Sequence, residues 1–257
     1  MIKFFRKIRY NLMSENKTGK YLKYAIGEII LVVIGILIAL SINNWNEARK
    51  TREKEVLYLT NIKNDLENSI QNIETFISKR NRQINTANNI IEHFKGKPIN
   101  DWNAFNKKLI DIYSWERFYL VENTYQELRN SGNLSLISNI KVKNGLKDLE
   151  LLYAKLKIKE SHYRHDAETT LHEGSYEMHD IPVMSNNYAY QISEGKMGEV
   201  GQLDEVTFGD ILKDKKQMNG FALTAYIFTI MNGILSEMEN KCSELISFID
   251  KEIADND

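Results

Sequence analysis

The stretch IGEIILVVIGILIALSINNW, residues 26–45, constrains this chain more than any other feature of its sequence. Leu, Ile and Val dominate it, and no charged residue follows Glu28 within it. A helix of about twenty residues crosses a hydrocarbon core of roughly 30 Å. Trp45 closes the run, where an aromatic ring suits the headgroup layer. We therefore predict a transmembrane helix over residues 24–46, with membrane lipid as its first partner.

The charges that flank this segment predict its orientation. More cations precede it than directly follow it, and the second set is mixed with acids. Because positively charged flanks stay in the cytoplasm, we expect residues 1–23 inside and residues 47–257 outside. A cleaved signal peptide is the alternative that this pattern leaves open. The first set is Lys3, Arg6, Lys7, Arg9, Lys17, Lys20 and Lys23, and the second is Arg49, Lys50, Arg52 and Lys54.

Residues 1–23 form a basic tail with an amphipathic pattern. Phe4, Phe5, Ile8 and Leu12 recur at helical spacing among the cations. Such a helix suits the anionic inner leaflet of a membrane. We expect it to orient the span.

Three residues of the apolar segment are candidate functional residues. Glu28 lies near the cytoplasmic end, and we interpret it as an acid at the membrane interface. A role in ion coupling or in pairing with a partner is the alternative. Gly35 and Ala39 form a small-xxx-small pair that lets two helices approach closely. This pair predicts a homo-oligomer or a partner contact through the span, alongside contacts made by the outer domain.

Composition limits what residues 47–257 can do. Seven of the 34 Lys and Arg residues precede this region, but only Glu15 and Glu28 of the 35 acids do, so the region is acidic. An acidic domain argues against nucleic acid as a partner. Cys242 is the one cysteine, which excludes an internal disulfide and a cysteine zinc cluster. Only two prolines occur, which favours helices.

Apolar spacing predicts a mainly α chain. We expect helices over 47–93, from about 101, over 140–173 and over 219–254, joined as an extracytoplasmic antiparallel bundle of about four long helices. Residues 174–216 hold five of the 13 glycines and are expected to be a loop-rich insertion. The rows that repeat every seven residues are Phe221, Phe228, Leu235, Cys242 and Ile249 in the last helix, and Leu59, Leu66 and Ile73 with Ile70, Ile77, Ile84 and Ile91 in the first.

Local signals refine two of these helices. Thr124 with Glu127 is a capping-box pattern, and Gly132 is a helix stop. Residues 217–236 carry no charge, which raises the question of a second span. Its polar residues and the charge rule favour a core helix instead. Within that helix we expect Cys242 to be a core residue rather than a reactive thiol.

One polar helix face is a candidate for chemistry. His162, His165, Glu168 and His172 recur at three- and four-residue steps, a spacing that can bind zinc. No HExxH pattern, GxSxG pattern or P-loop is present. We therefore expect a solvated face, no metal, no cofactor and no catalytic residue.

Two blocks of the sequence resemble a known family. FFRKIR with GKYLKYAIGEIILVVIGILIALSINNWNE, within about residues 4–47, and TYQELRNSGNLSLI, residues 124–137, are similar to an uncharacterised family of single-span proteins from Gram-negative bacteria, classed as a domain of unknown function. The resemblance implies an inner-membrane anchor with a periplasmic helical domain. It brings no activity, cofactor or catalytic residue.

These observations lead to a functional expectation. We expect a non-enzymatic, single-pass inner-membrane protein with a cytoplasmic N-terminus and a periplasmic helical interaction domain. Its role would be that of a scaffold or accessory subunit of an envelope complex. The alternatives are a periplasmic ligand sensor that signals through a membrane partner and a metal-dependent enzyme.

Overall fold

The computed structural model describes Tyr10 and residues 18–201 and 203–254. Most of the predicted basic tail, residues 1–9 and 11–17, lies outside these described residues. The described chain is helical, with turns and no strand among its residues, so the predicted mainly α class is confirmed. It divides into two compact units, residues 1–57 and residues 58–257.

The helices are numbered here in chain order. A π-helical turn covers Glu168–His172, and 3₁₀ turns cover Asn133–Leu136 and Ile211–Lys213. The α-helices are α1 Thr18–Phe94, α2 Trp102–Tyr113, α3 Asn123–Asn130, α4 Ile140–Ala167, α5 Glu173–Met178, α6 Ile181–Ile192, α7 Glu205–Phe208 and α8 Lys215–Ala254.

Helix α8 lies at the centre of the second unit. Its predicted row of Phe221, Phe228, Leu235, Cys242 and Ile249 is at most 1% exposed, which confirms the row as core. Gly145 of α4 lies so close to Leu245 that an added Cβ would be 2.6 Å from that side chain, and Tyr163 bonds Thr224 at 3.1 Å. The start of α4 therefore meets the end of α8, and the two helices run in opposite directions.

The second unit's part of α1 also packs against α8. Lys63 pairs with Asp250 at 2.7 Å, and Asn81 accepts a hydrogen bond from Asn232 at 2.9 Å. Further along, the rings of Phe94 and Phe221 lie 5.9 Å apart. Because contacts near the start of this part lie near the end of α8, these helices too run in opposite directions.

The two predicted apolar rows of α1 both pack on the core, but they are buried to different degrees. Leu59, Leu66 and Ile73 are buried as expected, but the row at Ile70, Ile77, Ile84 and Ile91 is only half-buried. The buried row continues instead through Arg80 and Ala87. Sequence analysis did not extend the first row to Arg80, whose guanidinium is buried beside its tertiary partner Glu160.

The ends of two helices test the local signals. Asp101 caps α2 by accepting a hydrogen bond from the Ala104 amide at 3.0 Å, and Gly132 adopts a φ of +73° just after α3. The predicted capping box at Thr124 is wrong. Helix α3 begins at Asn123, and the Thr124 amide donates to the Asp65 carboxylate at 2.8 Å. A side chain from α1 thus takes the capping role that sequence analysis gave to Thr124 and Glu127.

Residues 174–216 are more helical than the predicted loop-rich insertion. Helix α6 occupies Ile181–Ile192, where Asp180 caps the N-terminus and Pro182 follows in the first turn. Asn106 of α2 is fully buried and donates to the Met184 carbonyl and to Asn187, both at 3.0 Å. These contacts give the Asn106 amide nitrogen and the Met184 carbonyl hydrogen-bond partners. They dock α6 on α2 without the apolar repeat that sequence analysis looks for.

Candidate functional site

The segment predicted as a membrane helix presents apolar side chains on every side. Each residue from Ile29 to Trp45 is exposed, and Glu28 is half-buried. Gly35 and Ala39 lie on this open surface, and a Cβ added at Gly35 would meet no atom within 4 Å. The Arg49 guanidinium lies 5.7 Å from the centroid of the Trp45 ring. The four predicted membrane or partner residues thus lie along one exposed apolar helix.

Two helices of the described chain are long and apolar enough to cross a membrane. They are the Ala25–Phe94 part of α1, whose most apolar window is 0% buried, and α8, whose window is 50% buried. The core helix of a soluble protein can meet the same criterion of length and composition. The burial of α8 agrees with the prediction that residues 217–236 form a core helix.

The structure separates the predicted histidine face into two environments. His162, His165 and Glu168 are exposed, and Glu168 pairs with Arg164 at 2.7 Å. The hydrogen bond from Arg164 lowers the pKa of the Glu168 carboxyl. His172 is half-buried instead and lies 5.6 Å from the Tyr113 ring. Among the described residues, no three His, Cys, Asp or Glu side chains come together as a metal site.

His172 belongs to a polar cluster whose members Tyr113 and Gln217 sequence analysis did not identify. It ends the π-helical turn, a geometry often found at functional sites. The Tyr113 hydroxyl lies between His179, at 3.4 Å, and the Gln217 side chain, at 3.2 Å. Gln217 in turn donates to the Leu171 carbonyl at 2.9 Å, inside the π-helical turn.

Burial sets the protonation states of this cluster. It lowers the pKa of His179 to about 4 and also lowers the pKa of His172. Burial raises the pKa of the Tyr113 hydroxyl. The three groups are therefore neutral near pH 7, which suits a hydrogen-bonded core contact more than a proton-transfer site.

A buried ion pair joins α1 to α4. Arg80 donates to Glu160 at 2.7 Å, and the two side chains are 2% and 1% exposed. The same Glu160 oxygen accepts the Phe118 amide at 3.0 Å, and the guanidinium lies over the rings of Phe76 and Phe228. Burial lowers the pKa of Arg80, and the charge and hydrogen bond of Glu160 partly offset this by raising it. The position of Arg80 within the apolar seven-residue row was the one sequence signal for this pair.

The block at residues 124–137, one of the two that carry the family resemblance, links helices of the second unit. Tyr125 donates to Glu150 of α4 at 3.1 Å, and Arg129 pairs with the same carboxylate. Glu127 accepts from Tyr58 of α1 at 3.0 Å. This block therefore cross-links α1, α3 and α4 through side-chain contacts.

The described surface also holds a polar pocket of about 420 Å³. Its walls come from α1, from α2 with the residues just after it, and from α6. Sequence analysis missed this pocket because its residues are far apart in the chain and none belongs to a motif. It is lined by Lys79, Arg82, Gln83, Thr86, Asp111, Ser114, Glu116 and Tyr188.

Comparison with known proteins gives a family assignment without an activity. The model of a family of unknown function (DUF6090) matches residues 28–164, which is more than half of the chain. The matched range begins in the apolar segment and ends within α4. It includes the Arg80–Glu160 pair, the block at residues 124–137 and the first block from residue 28 onward, and it confirms the resemblance to a family of unknown function. No curated protein and no solved structure matches the chain.

Proposed function

Because the chain belongs to this family, whose function is unknown, we propose a role from its own structure: a single-pass inner-membrane protein with a periplasmic interaction domain. Residues 24–46 form the anchor, residues 1–23 lie in the cytoplasm, and residues 47–257 form a periplasmic helical bundle. The bundle acts as a scaffold or accessory subunit of an envelope complex, and it is not an enzyme.

The exposure of the apolar segment is the observation that carries this proposal. Its most apolar window is 0% buried, so its Leu, Ile and Val side chains have no protein core to occupy. A helix that is apolar on every side is stable either inside a protein core or in lipid. Lipid is therefore the environment that suits this segment, and the excess of cations before it supports a cytoplasmic N-terminus.

The polar features of the second unit support interaction over catalysis. The buried Arg80–Glu160 pair and the Tyr113–Gln217 contact join helices to one another. Exposed Gly35 and Ala39 offer a close-approach surface for a second copy or a membrane partner. A ligand-sensing role is the second candidate function, and the polar pocket beside Arg82 is the observation that favours it.

Topology is tested first, with reporters fused after Asp257. An alkaline phosphatase fusion should be active, and a fusion to a reporter that works only in the cytoplasm should be silent. An inactive phosphatase fusion with an active cytoplasmic reporter would reverse the proposed orientation. If the protein is instead cleaved and released into the periplasm in soluble form, the segment is a signal peptide and not an anchor.

The interaction role is tested by gentle detergent extraction and mass spectrometry of the full chain. The matched control is a chimera in which an unrelated span replaces residues 24–46. A partner that stays with the chimera binds the periplasmic domain, and one that is lost binds through the span. If neither the full chain nor the chimera retains a partner and both are monomeric, the interaction role is wrong.

A further inference from the structure

The polar pocket between α1, α2 and α6 has a size suited to a small molecule. Its volume of about 420 Å³ lies in the usual range of ligand pockets, roughly 300–1,000 Å³. Three separate elements contribute side chains to it, so it exists only in the folded domain. All eight lining residues are polar or carry a polar tip.

The charges of the pocket are partly paired. Lys79 forms an ion pair with Glu116 at 2.7 Å, which neutralises one cation and one carboxylate. Arg82 donates to the Ser78 hydroxyl at 3.3 Å, and no carboxylate of the described residues pairs with it. Asp111 likewise has no cationic partner among the described side chains. The pocket thus presents one guanidinium and one carboxylate that are not paired with an opposite charge among the described residues.

Hydrogen bonds hold the Asp111 side of the pocket in place. The Tyr188 hydroxyl donates to the Asp111 carboxylate at 2.8 Å, and the Gln83 amide donates to the Asp111 carbonyl at 2.9 Å. Burial, aided by Asp111, raises the pKa of Tyr188 to about 12, so its hydroxyl keeps its proton. A pre-positioned carboxylate reduces the ordering cost of binding.

The sign of these charges selects the class of ligand. A simple anion would be attracted by Arg82 but repelled by Asp111, and a simple cation would be attracted by Asp111 but repelled by Arg82. A molecule with one carboxylate and one ammonium group satisfies both free charges at once, because guanidinium binds carboxylate through paired hydrogen bonds. We propose that this pocket binds a small zwitterion of the free amino-acid class, with its carboxylate on Arg82 and its ammonium on Asp111.

The test uses the full chain in detergent and isothermal titration with glycine, L-alanine, L-serine, L-glutamate and L-lysine, each up to about 10 mM. Acetate and methylammonium, which carry one charge each, are the matched controls. At least one amino acid should show saturable binding, and the single-charge controls should show none. Saturation by acetate or methylammonium alone, or by none of the seven compounds, would overturn the proposal.

Three variants locate the site. Arg82→Gln and Asp111→Asn each remove one charge, and Thr86→Trp fills the pocket while leaving its charges in place. Each variant should weaken binding at least tenfold. For Arg82→Gln and Asp111→Asn the reason is the loss of a charged hydrogen bond, which contributes roughly that factor or more. For Thr86→Trp the reason is that the indole occupies the space of the ligand. Arg117→Gln, at an exposed arginine outside the pocket, should bind as wild type does.

Circular dichroism of each variant separates loss of binding from loss of fold. Unchanged affinity in folded Thr86→Trp together with folded Arg82→Gln would sink the assignment, even if the wild type binds an amino acid elsewhere. The result is independent of the topology and partner experiments. Failure of either proposal therefore leaves the other one standing.

Discussion

The apolar part of α1 and helix α8 are both long and apolar enough to cross a membrane, yet they differ in where their side chains lie. The most apolar window of α1 is 0% buried, whereas that of α8 is 50% buried. In α8 the buried residues recur every seven positions, and exposed residues such as Tyr226 lie between them. Residues 29–45 have no such alternation, because every side is apolar and exposed.

Buried polar residues explain the difference. Helix α8 carries Gln217, Thr224 and Asn232 on its buried side, and each has a hydrogen-bond partner within the second unit. In lipid these groups would lose those partners, and each unsatisfied polar group would cost up to several kcal/mol. The comparison teaches that the periodicity of the apolar residues and the partners of the polar ones distinguish a core helix from a candidate span.

The largest expected effect is at the centre of α8. Phe228 is 1% exposed, and its ring lies 4.8 Å from that of Tyr163. Phe228→Ala should lower the free energy of unfolding of fragment 47–257 by about 3–5 kcal/mol, because it leaves a cavity. Tyr226→Ala, on the exposed side of the same helix, is the matched control and should change it little. If the Phe228→Ala fragment melts at the same temperature as the wild-type fragment, Phe228 of α8 does not lie in the core.

A charge in the apolar segment should act on insertion instead. Leu37 is 56% exposed, so Leu37→Arg removes no core contact. In a bilayer it should make insertion less favourable by about 2.5–3.5 kcal/mol. The measurement is the membrane-bound fraction in a translocon insertion assay, with Leu57→Arg, beyond the segment, as the control. If Leu37→Arg inserts as well as wild type, the segment is not a span.

The polar contacts beside α8 should make stability depend on pH. The pKa of His179 is lowered to about 4, while an unfolded histidine titrates near pH 6.5. As pH falls below about 6.5, the unfolded chain binds a proton that the folded chain does not. Stability from this group is therefore present above that pH and is lost down to about pH 4, by at most about 3 kcal/mol.

The matched variants for this pH prediction are two histidine substitutions, followed by chemical denaturation between pH 7 and pH 4. His179→Gln should flatten this part of the stability profile. His162→Gln, at an exposed position, should leave the profile as in wild type. Identical pH profiles for His179→Gln and wild type would show that this histidine does not remain neutral in the fold.

The smallest expected effects come from substitutions of glycines in α8 and in the apolar part of α1. A Cβ at Gly220 of α8 would lie 2.5 Å from Leu171, whereas Gly233 and Gly35 have nothing within 4 Å. Gly220→Ala should destabilise the domain by about 1–3 kcal/mol through overpacking. Gly233→Ala should stabilise it by up to about 1 kcal/mol through helix propensity.

At Gly35 the same change should leave domain stability unchanged. Gly35→Leu should instead reduce self-association of the full chain if two spans pack through Gly35 and Ala39. Analytical ultracentrifugation in detergent measures this. Unaltered association in Gly35→Leu would move any contact between copies to the outer domain.

Much of the helical framework could be read from the sequence, since it depends on local spacing. The α8 row and the Gly132 stop need only near neighbours, and the structure bears them out. The π-helical turn at Glu168–His172 and the helix at Ile181–Ile192 were missed. The first accepts a hydrogen bond from Gln217, and the second docks through asparagine amides. Neither kind of contact leaves an apolar period in the sequence.

By itself the sequence determined two things about this protein: an apolar segment without a polar side, and a last helix with one apolar side. Both follow from residue type and spacing alone. Tertiary structure alone decided that Arg80 is buried, that Asp65 caps α3, and that Arg82 and Asp111 line one pocket. The reason is physical: whether a charged side chain lies in a core, at a helix end or in a pocket depends on partners that are distant in the chain, and only folding brings them within a few ångströms.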